Sequence, residues 1–152
     1  MGNVCLRKIP RNLNPRNMSK FVPPIHRGRV VKVYDGDTIT IGSYLPHHNS
    51  ELFKFSVRLR GIDCPELKTK DKDEKYIAEQ ARDFIKDIVL DEMVTLKEVD
   101  IEKYGRILAD VLYKNQSLKD LLLEKRYAVP YDGGTKVCPK NWKRFHFTGD
   151  LD

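Results

Sequence analysis

Cysteine is scarce in this chain: Cys5, Cys64 and Cys138 are the three among 152 residues. Their odd number and wide spacing match neither a disulfide framework nor a zinc-ligand pattern, so free thiols in a reducing compartment are expected. No apolar run approaches the ~20 residues of a membrane span. The start has no apolar core of a secretory leader, and an intracellular protein is expected. Acidic residues are missing from positions 1–30, which hold seven basic ones (Arg7, Lys8, Arg11, Arg16, Lys20, Arg27, Arg29). The other 122 residues carry 21 basic side chains against 22 acidic ones, a net charge of −1. The pI of 9.2 therefore describes a basic tail rather than a basic face on the fold. Such a tail attracts nucleic acid or an anionic membrane surface.

What is present fits one soluble domain, 40% apolar and 33% charged, long enough to bury a core. Residues 1–28 read as a disordered basic arm, interrupted by Pro10, Pro15, Pro23 and Pro24, and residues 29–152 as the folded domain. At the start of the arm, Gly2 is a candidate for myristoylation and Cys5 for palmitoylation. Leu6 stands where that motif usually has Ser or Thr. An acyl chain beside a basic patch would associate the arm with a membrane.

From Arg29 the pattern is mostly that of strands. Arg29–Tyr34 is rich in β-branched residues, Asp35-Gly36 signals a hairpin turn, and Asp37–Ile41 returns with Ile39 and Ile41 facing the core. Gly42–Ser50 reads as a loop whose His47 and His48 are surface residues, and Leu52–Leu59 as a third strand. Between about Asp73 and Leu90 the period becomes helical, with Ile77, Ala81, Phe84, Ile85 and Ile88 forming one stripe. Strands follow over Met93–Val99 and Arg106–Tyr113, joined by the polar connection Asp100–Gly105. Ser117 and Asp120 then have the spacing of a capping box, ahead of a short helix carrying Leu118, Leu121 and Leu122. Trp142, Phe145 and Phe147 are expected to pack back on the domain. Five strands with one helix after the third and another after the fifth predict a mainly β, α+β domain, and a five-stranded partly open barrel meets that order.

One stretch concentrates the chemistry: Val57-Arg58-Leu59-Arg60-Gly61-Ile62-Asp63-Cys64-Pro65-Glu66. Val57 and Leu59 alternate with Arg58 and Arg60 across a strand, and Pro65, which has no N–H to give, is expected to end the ladder. Asp63 and Glu66 are left beside the Arg58 guanidinium. Carboxylates suit a hard cation and a general base, and a guanidinium suits a phosphate. Phosphodiester hydrolysis needs that combination.

In order, Asp35-Gly36-Asp37-Thr38, then Arg58-Leu59-Arg60-Gly61-Ile62-Asp63-Cys64-Pro65-Glu66, then Lys103-Tyr104-Gly105-Arg106 resemble the staphylococcal nuclease family. The resemblance runs from about Val30 to Tyr131. It implies an OB-fold barrel with packed helices and a Ca²⁺-dependent nuclease acting on DNA and RNA; a single-stranded substrate and a monomeric protein are expected. By that pattern Asp37 and Asp63 are calcium ligands, joined by the backbone carbonyl of Cys64, and Asp35 is a nearby supporting acid. Glu66 matches the general base, Arg58 and Arg106 the phosphate-binding arginines, and Tyr104 and Tyr131 fall near nucleotide contacts. The resemblance also implies 3′-phosphate ends. The region after Gly134 departs from the long C-terminal helix of the bacterial enzyme. The alternative is a non-catalytic single-strand-binding or scaffold module on the same fold. The presence of all five acids and arginines favours the enzyme.

Overall fold

The protein is described from a computed structural model, over residues 7–152. The acylation candidates Gly2 and Cys5 lie outside the described residues. In chain order the elements are β1 (Arg27–Asp35), β2 (Thr38–Tyr44), β3 (Leu52–Leu59), β4 (Ile62–Asp63), α1 (Lys72–Val89), β5 (Met93–Ile101), β6 (Ile107–Tyr113), β7 (Gln116–Ser117), α2 (Leu118–Glu124), β8 (Val129–Pro130) and α3 (Trp142–Thr148).

Antiparallel pairing runs β3-β2-β1-β5-β6, and a parallel pairing of β3 with β6 closes the ring. The result is a closed five-stranded barrel with three helices, the α+β OB-type architecture expected from the element order. The closing seam is short, pairing Val57 with Ile107, Arg58 with Leu108 and Leu59 with Ala109. Every second residue of these strands points inward, so Val30, Ile39, Ile41, Val57, Leu59, Val94, Leu96, Ile107, Ala109 and Val111 fill one core.

α1 begins where Asp71 caps it, the carboxylate accepting from the N–H groups of Asp73 and Glu74. Its buried stripe is Ile77, Ala78, Ala81, Ile85 and Val89, while Phe84 and Ile88 flank the core half-buried. Ser117 caps α2 by accepting from the Asp120 N–H at 3.3 Å, and α2 buries Leu118 and Leu122. Ile77 also meets Val129 and Trp142 in a smaller cluster that fastens α3 to α1.

Several sequence expectations shift. The fold begins before residue 29, because β1 starts at Arg27 and Ile25, only 2% exposed, is a core residue. β2 runs on through Gly42, Ser43 and Tyr44, which pair with Lys54, Phe53 and Leu52, so the loop is shorter than Gly42–Ser50. β5 likewise extends to Ile101 and carries a bulge between Lys97 and Asp100. The Arg60 guanidinium secures that bulge by donating to the carbonyls of Glu98 and Leu108. Trp142 packs back as expected and Phe145 partly does, but Phe147 is 65% exposed because it lies on the outer face of α3.

The chemical stretch is two strands rather than one. Gly61, at φ +82°, turns the chain after β3, and β4 then pairs with β8 instead of continuing in the barrel. Gly36 is needed for a different reason. A Cβ there would fall 2.9 Å from the Cys64 sulfur and 3.0 Å from the Ala81 Cβ, so only glycine lets the β1–β2 turn lie against the strand end and α1. Gly36→Ala should therefore lower stability by about 1–3 kcal/mol, the usual range for overpacking. Urea unfolding followed by circular dichroism measures this, and an unchanged midpoint would contradict the close approach.

Candidate active site

The β1–β2 turn, the end of β3 and the short β4 meet at one side of the barrel, and a cleft of about 640 Å³ opens there. Arg58 occupies the seam. Its backbone pairs with Thr38 of β2 on one side and Leu108 of β6 on the other, which fixes where its guanidinium starts. Nη2 lies 3.1 Å from Asp63 Oδ1 and 3.4 Å from Asp37 Oδ2. Both carboxylates are buried. Asp37 is held further by the Thr38 hydroxyl, which donates to Oδ1 at 3.0 Å, and by the Cys64 N–H, which donates to Oδ2 at 3.1 Å. Pairing with Val129 of β8 holds the backbone of Asp63.

This much negative charge in little water has electrostatic consequences. Burial, reinforced by the charge of Asp37, pushes the Asp35 carboxyl up to about 7. Burial also raises Asp63, against an opposing pull from Lys136. The Cys64 thiol is pushed well up by burial and by the surrounding carboxylates, so it is an inert core group.

Around this centre the cleft collects the remaining candidates. Glu66 is exposed at its edge, and its loop is tied to α1 because the Glu66 N–H donates to Glu74 Oε1 at 3.0 Å. Arg106 comes from the start of β6 and is gripped by Glu102, whose Oε1 lies 2.9 Å from Arg106 Nε. This pairing raises the Arg106 guanidinium and lowers the Glu102 carboxyl. The Tyr131 ring lies 5.8 Å from the Arg58 guanidinium carbon, within cation–π reach, and Tyr104 stands 74% exposed at the lip. Thus Asp35, Asp37, Arg58, Asp63, Glu66, Tyr104, Arg106 and Tyr131 all line one cleft. The Cys64 main chain borders the same acids, its N–H donating to Asp37 Oδ2 at 3.1 Å.

Two functional side chains were not read from the sequence. Glu102 stands four residues before Arg106 in a tight turn where the Gly105 N–H donates to the Glu102 carbonyl, and that spacing was a usable signal. Lys136 sits beyond β8 and brings its ammonium 2.7 Å from Asp63 Oδ2 and 3.6 Å from Glu66 Oε1. Nothing near it in the sequence announces this contact.

Among the described residues no three His, Cys, Asp or Glu side chains form a metal-holding cluster. Asp37 and Asp63 nevertheless fit a hard cation. They are adjacent buried oxygen donors already bridged by one cationic nitrogen, and such ions complete their shells with water, main-chain and substrate oxygens.

A barrel edge bearing paired buried carboxylates, two arginines and an exposed glutamate offers the groups that phosphodiester hydrolysis needs, and by family the protein is a hydrolase of that class, a nuclease. The comparison with known families agrees: residues 56–146 match the staphylococcal nuclease homologue family, and the chain belongs to it. A Schizosaccharomyces pombe protein named as a probable endonuclease is 30% identical over 155 residues, spanning 86% of this chain and 67% of its own length. Endonuclease Htp3 of Saprolegnia parasitica is 29% identical over 118 residues, spanning 69% of this chain and 56% of its own.

The bridging position of Arg58 sets a stability test. Arg58→Ala leaves two buried carboxylates facing each other and should lower stability by about 3 kcal/mol at neutral pH. Urea unfolding of both proteins in chelator reads this directly. A loss within the ordinary ±0.5 kcal/mol of a surface substitution would mean that the ion pairs are not held in solution.

Proposed function

We propose that this protein is a Ca²⁺-dependent nuclease that hydrolyses DNA and RNA, acts on single strands in preference, and leaves 3′-phosphate ends. The observation that carries the reading is the convergence of Asp37, Asp63, Arg58, Arg106 and Glu66 on one cleft, with Arg58 bridging the two buried acids. The lining of the cleft includes Tyr34, Tyr104 and Tyr131, aromatic faces on which unpaired bases can stack.

Asp37 and Asp63 would hold the cation, with the Cys64 carbonyl as a further oxygen donor. When bound, the cation supplies charge neutralisation and Lewis acidity at a non-bridging phosphate oxygen. Arg58, whose guanidinium already lies at this centre, would turn part of its donor set to the same phosphate through charge-assisted hydrogen bonds. Arg106, kept in place by Glu102, would supply donors from the other side for the charge that grows in the pentacoordinate state. Glu66 is the one exposed carboxylate of the candidate site, so it can accept a proton from an attacking water or orient that water in line. The water oxygen bonds to phosphorus as the bond to the 5′ oxygen breaks, and the phosphate stays on the 3′ side. Tyr131 and Tyr104 would flank the nucleotide.

Release of acid-soluble nucleotide from single-stranded DNA tests the whole reading. Activity should require added Ca²⁺ and vanish in chelator, and Glu66→Gln should lower turnover by about 100-fold or more. No release from folded protein with any divalent ion would move the assignment to a binding module. A second variant separates rate from affinity. Arg106→Ala should reduce kcat by about 100- to 1,000-fold, because its donors matter most in the transition state. Oligonucleotide affinity, measured by fluorescence anisotropy, should change far less. A large loss of affinity with normal kcat would make Arg106 a ground-state binding residue instead.

A further inference from the structure

Asp63 is the one acid of the centre whose two oxygens face two different cationic side chains. Oδ1 meets Arg58 at 3.1 Å and Oδ2 meets Lys136 at 2.7 Å. These two partners are held very differently. Arg58 issues from a strand paired on both sides. Lys136 issues from the exposed segment between β8 and α3, which contains Gly133 at φ +94° with nothing within 4 Å of where a Cβ would stand. Its long stem ends in a compact, strongly hydrated ammonium that can return to water at little cost. Asp63 Oδ2 is buried and Lys136 is the cationic side chain that meets it. The same ammonium reaches Glu66 Oε1 at 3.6 Å.

We propose that Lys136 is a tethered counter-cation that competes with a divalent metal ion for Asp63, and so acts as a positioning residue that sets the metal affinity of the site. The inference rests on the metal-binding reading of Asp37 and Asp63. A hard cation bound between these acids draws on a carboxylate oxygen from each. Two positive charges cannot both lie within 3 Å of the same oxygen without strong repulsion. Of the two cations on Asp63, Arg58 issues from a strand paired on both sides and Lys136 from an exposed loop, so Lys136 is the partner freer to leave. The Lys136 ammonium, 40% exposed and placed between Asp63 and Glu66, carries its charge across the physiological range as an ordinary lysine does. Lys136 thereby holds the acids together when metal is scarce, and its displacement frees Glu66 at the moment the metal enters.

Isothermal titration of full-length protein with CaCl₂, at fixed ionic strength, tests this without recourse to activity. Lys136→Met should bind Ca²⁺ about tenfold more tightly than the unaltered protein, a modest value because the lysine is 40% exposed and partly screened. Lys136→Arg, which keeps the charge, should stay much closer to the unaltered affinity. In the unaltered protein, Ca²⁺ should also raise acetylation of Lys136 by an N-hydroxysuccinimide ester several-fold, read by peptide mass spectrometry. This second measurement decides the matter if Lys136→Met does not fold. Equal Ca²⁺ affinities, or labelling that ignores Ca²⁺, would overturn the role of Lys136 and leave the metal site standing. Absence of binding by Ca²⁺, Mg²⁺ and Mn²⁺ to every variant would overturn the metal reading itself, and the competition with it.

Discussion

Two buried carboxylates bridged by one guanidinium are the constraint on which the rest of this structure depends. An isolated ionised carboxylate taken out of water is costly, and two side by side are worse. Arg58 makes the arrangement tolerable by reaching Asp37 and Asp63 with a single nitrogen. The Thr38 hydroxyl then donates to the other oxygen of Asp37, and the Cys64 N–H adds a second donor to the oxygen that Arg58 meets. Charge is concentrated here beyond what folding needs, and this is the usual mark of a site built for chemistry. The Asp35 carboxyl beside them is raised first by burial and then by the charge of Asp37.

Closing the barrel and assembling the site are one event. The parallel β3–β6 seam pairs Arg58 with Leu108, while β2 pairs Thr38 with Arg58 from the other side. Ring closure therefore brings the Asp37 turn, the Arg58 guanidinium and the Arg106 end of β6 to the same edge. Gly36 lets that turn press against Cys64 and Ala81, and Gly61 breaks the strand so that Asp63 can leave the barrel wall and pair with Val129. Both glycines answer to the position of an acid two residues away or fewer.

Most of this was legible because the information is local. The 3.6-residue stripe of α1, the Ser117 N-cap of α2 and the alternation in β3 are written in neighbouring residues, and the motif residues are ordinary neighbours of those elements. Element ends were less legible. β2 runs on through Gly42, Ser43 and Tyr44 because the neighbouring β3 pairs with them through Lys54, Phe53 and Leu52, a partner that the loop-like composition of Gly42–Ser50 hides. β5 overruns because β6 pairs with its end through Leu108 and Ile107, and its bulge is secured by Arg60 from the turn after β3. Lys136 was illegible because its partner, Asp63, is 73 positions away and only the fold joins them.

The C-terminal segment, where the chain departs from the bacterial pattern, then has a physical role. α3 is only seven residues long, too short to be stable alone, so tertiary contacts must hold it. Trp142 packs on Ile77 and Val129, and Asn141 both caps α3 and donates to Asp73 in the first turn of α1 at 3.1 Å. The same first turn of α1 holds the Glu66 loop through Glu74. One helix end thus anchors two segments that reach the cleft, the one carrying Glu66 and the one leading from Lys136 into α3. A long C-terminal helix is unnecessary for bounding this side of the site, because a capped seven-residue helix fastened to α1 fixes the far end of the loop that carries Lys136.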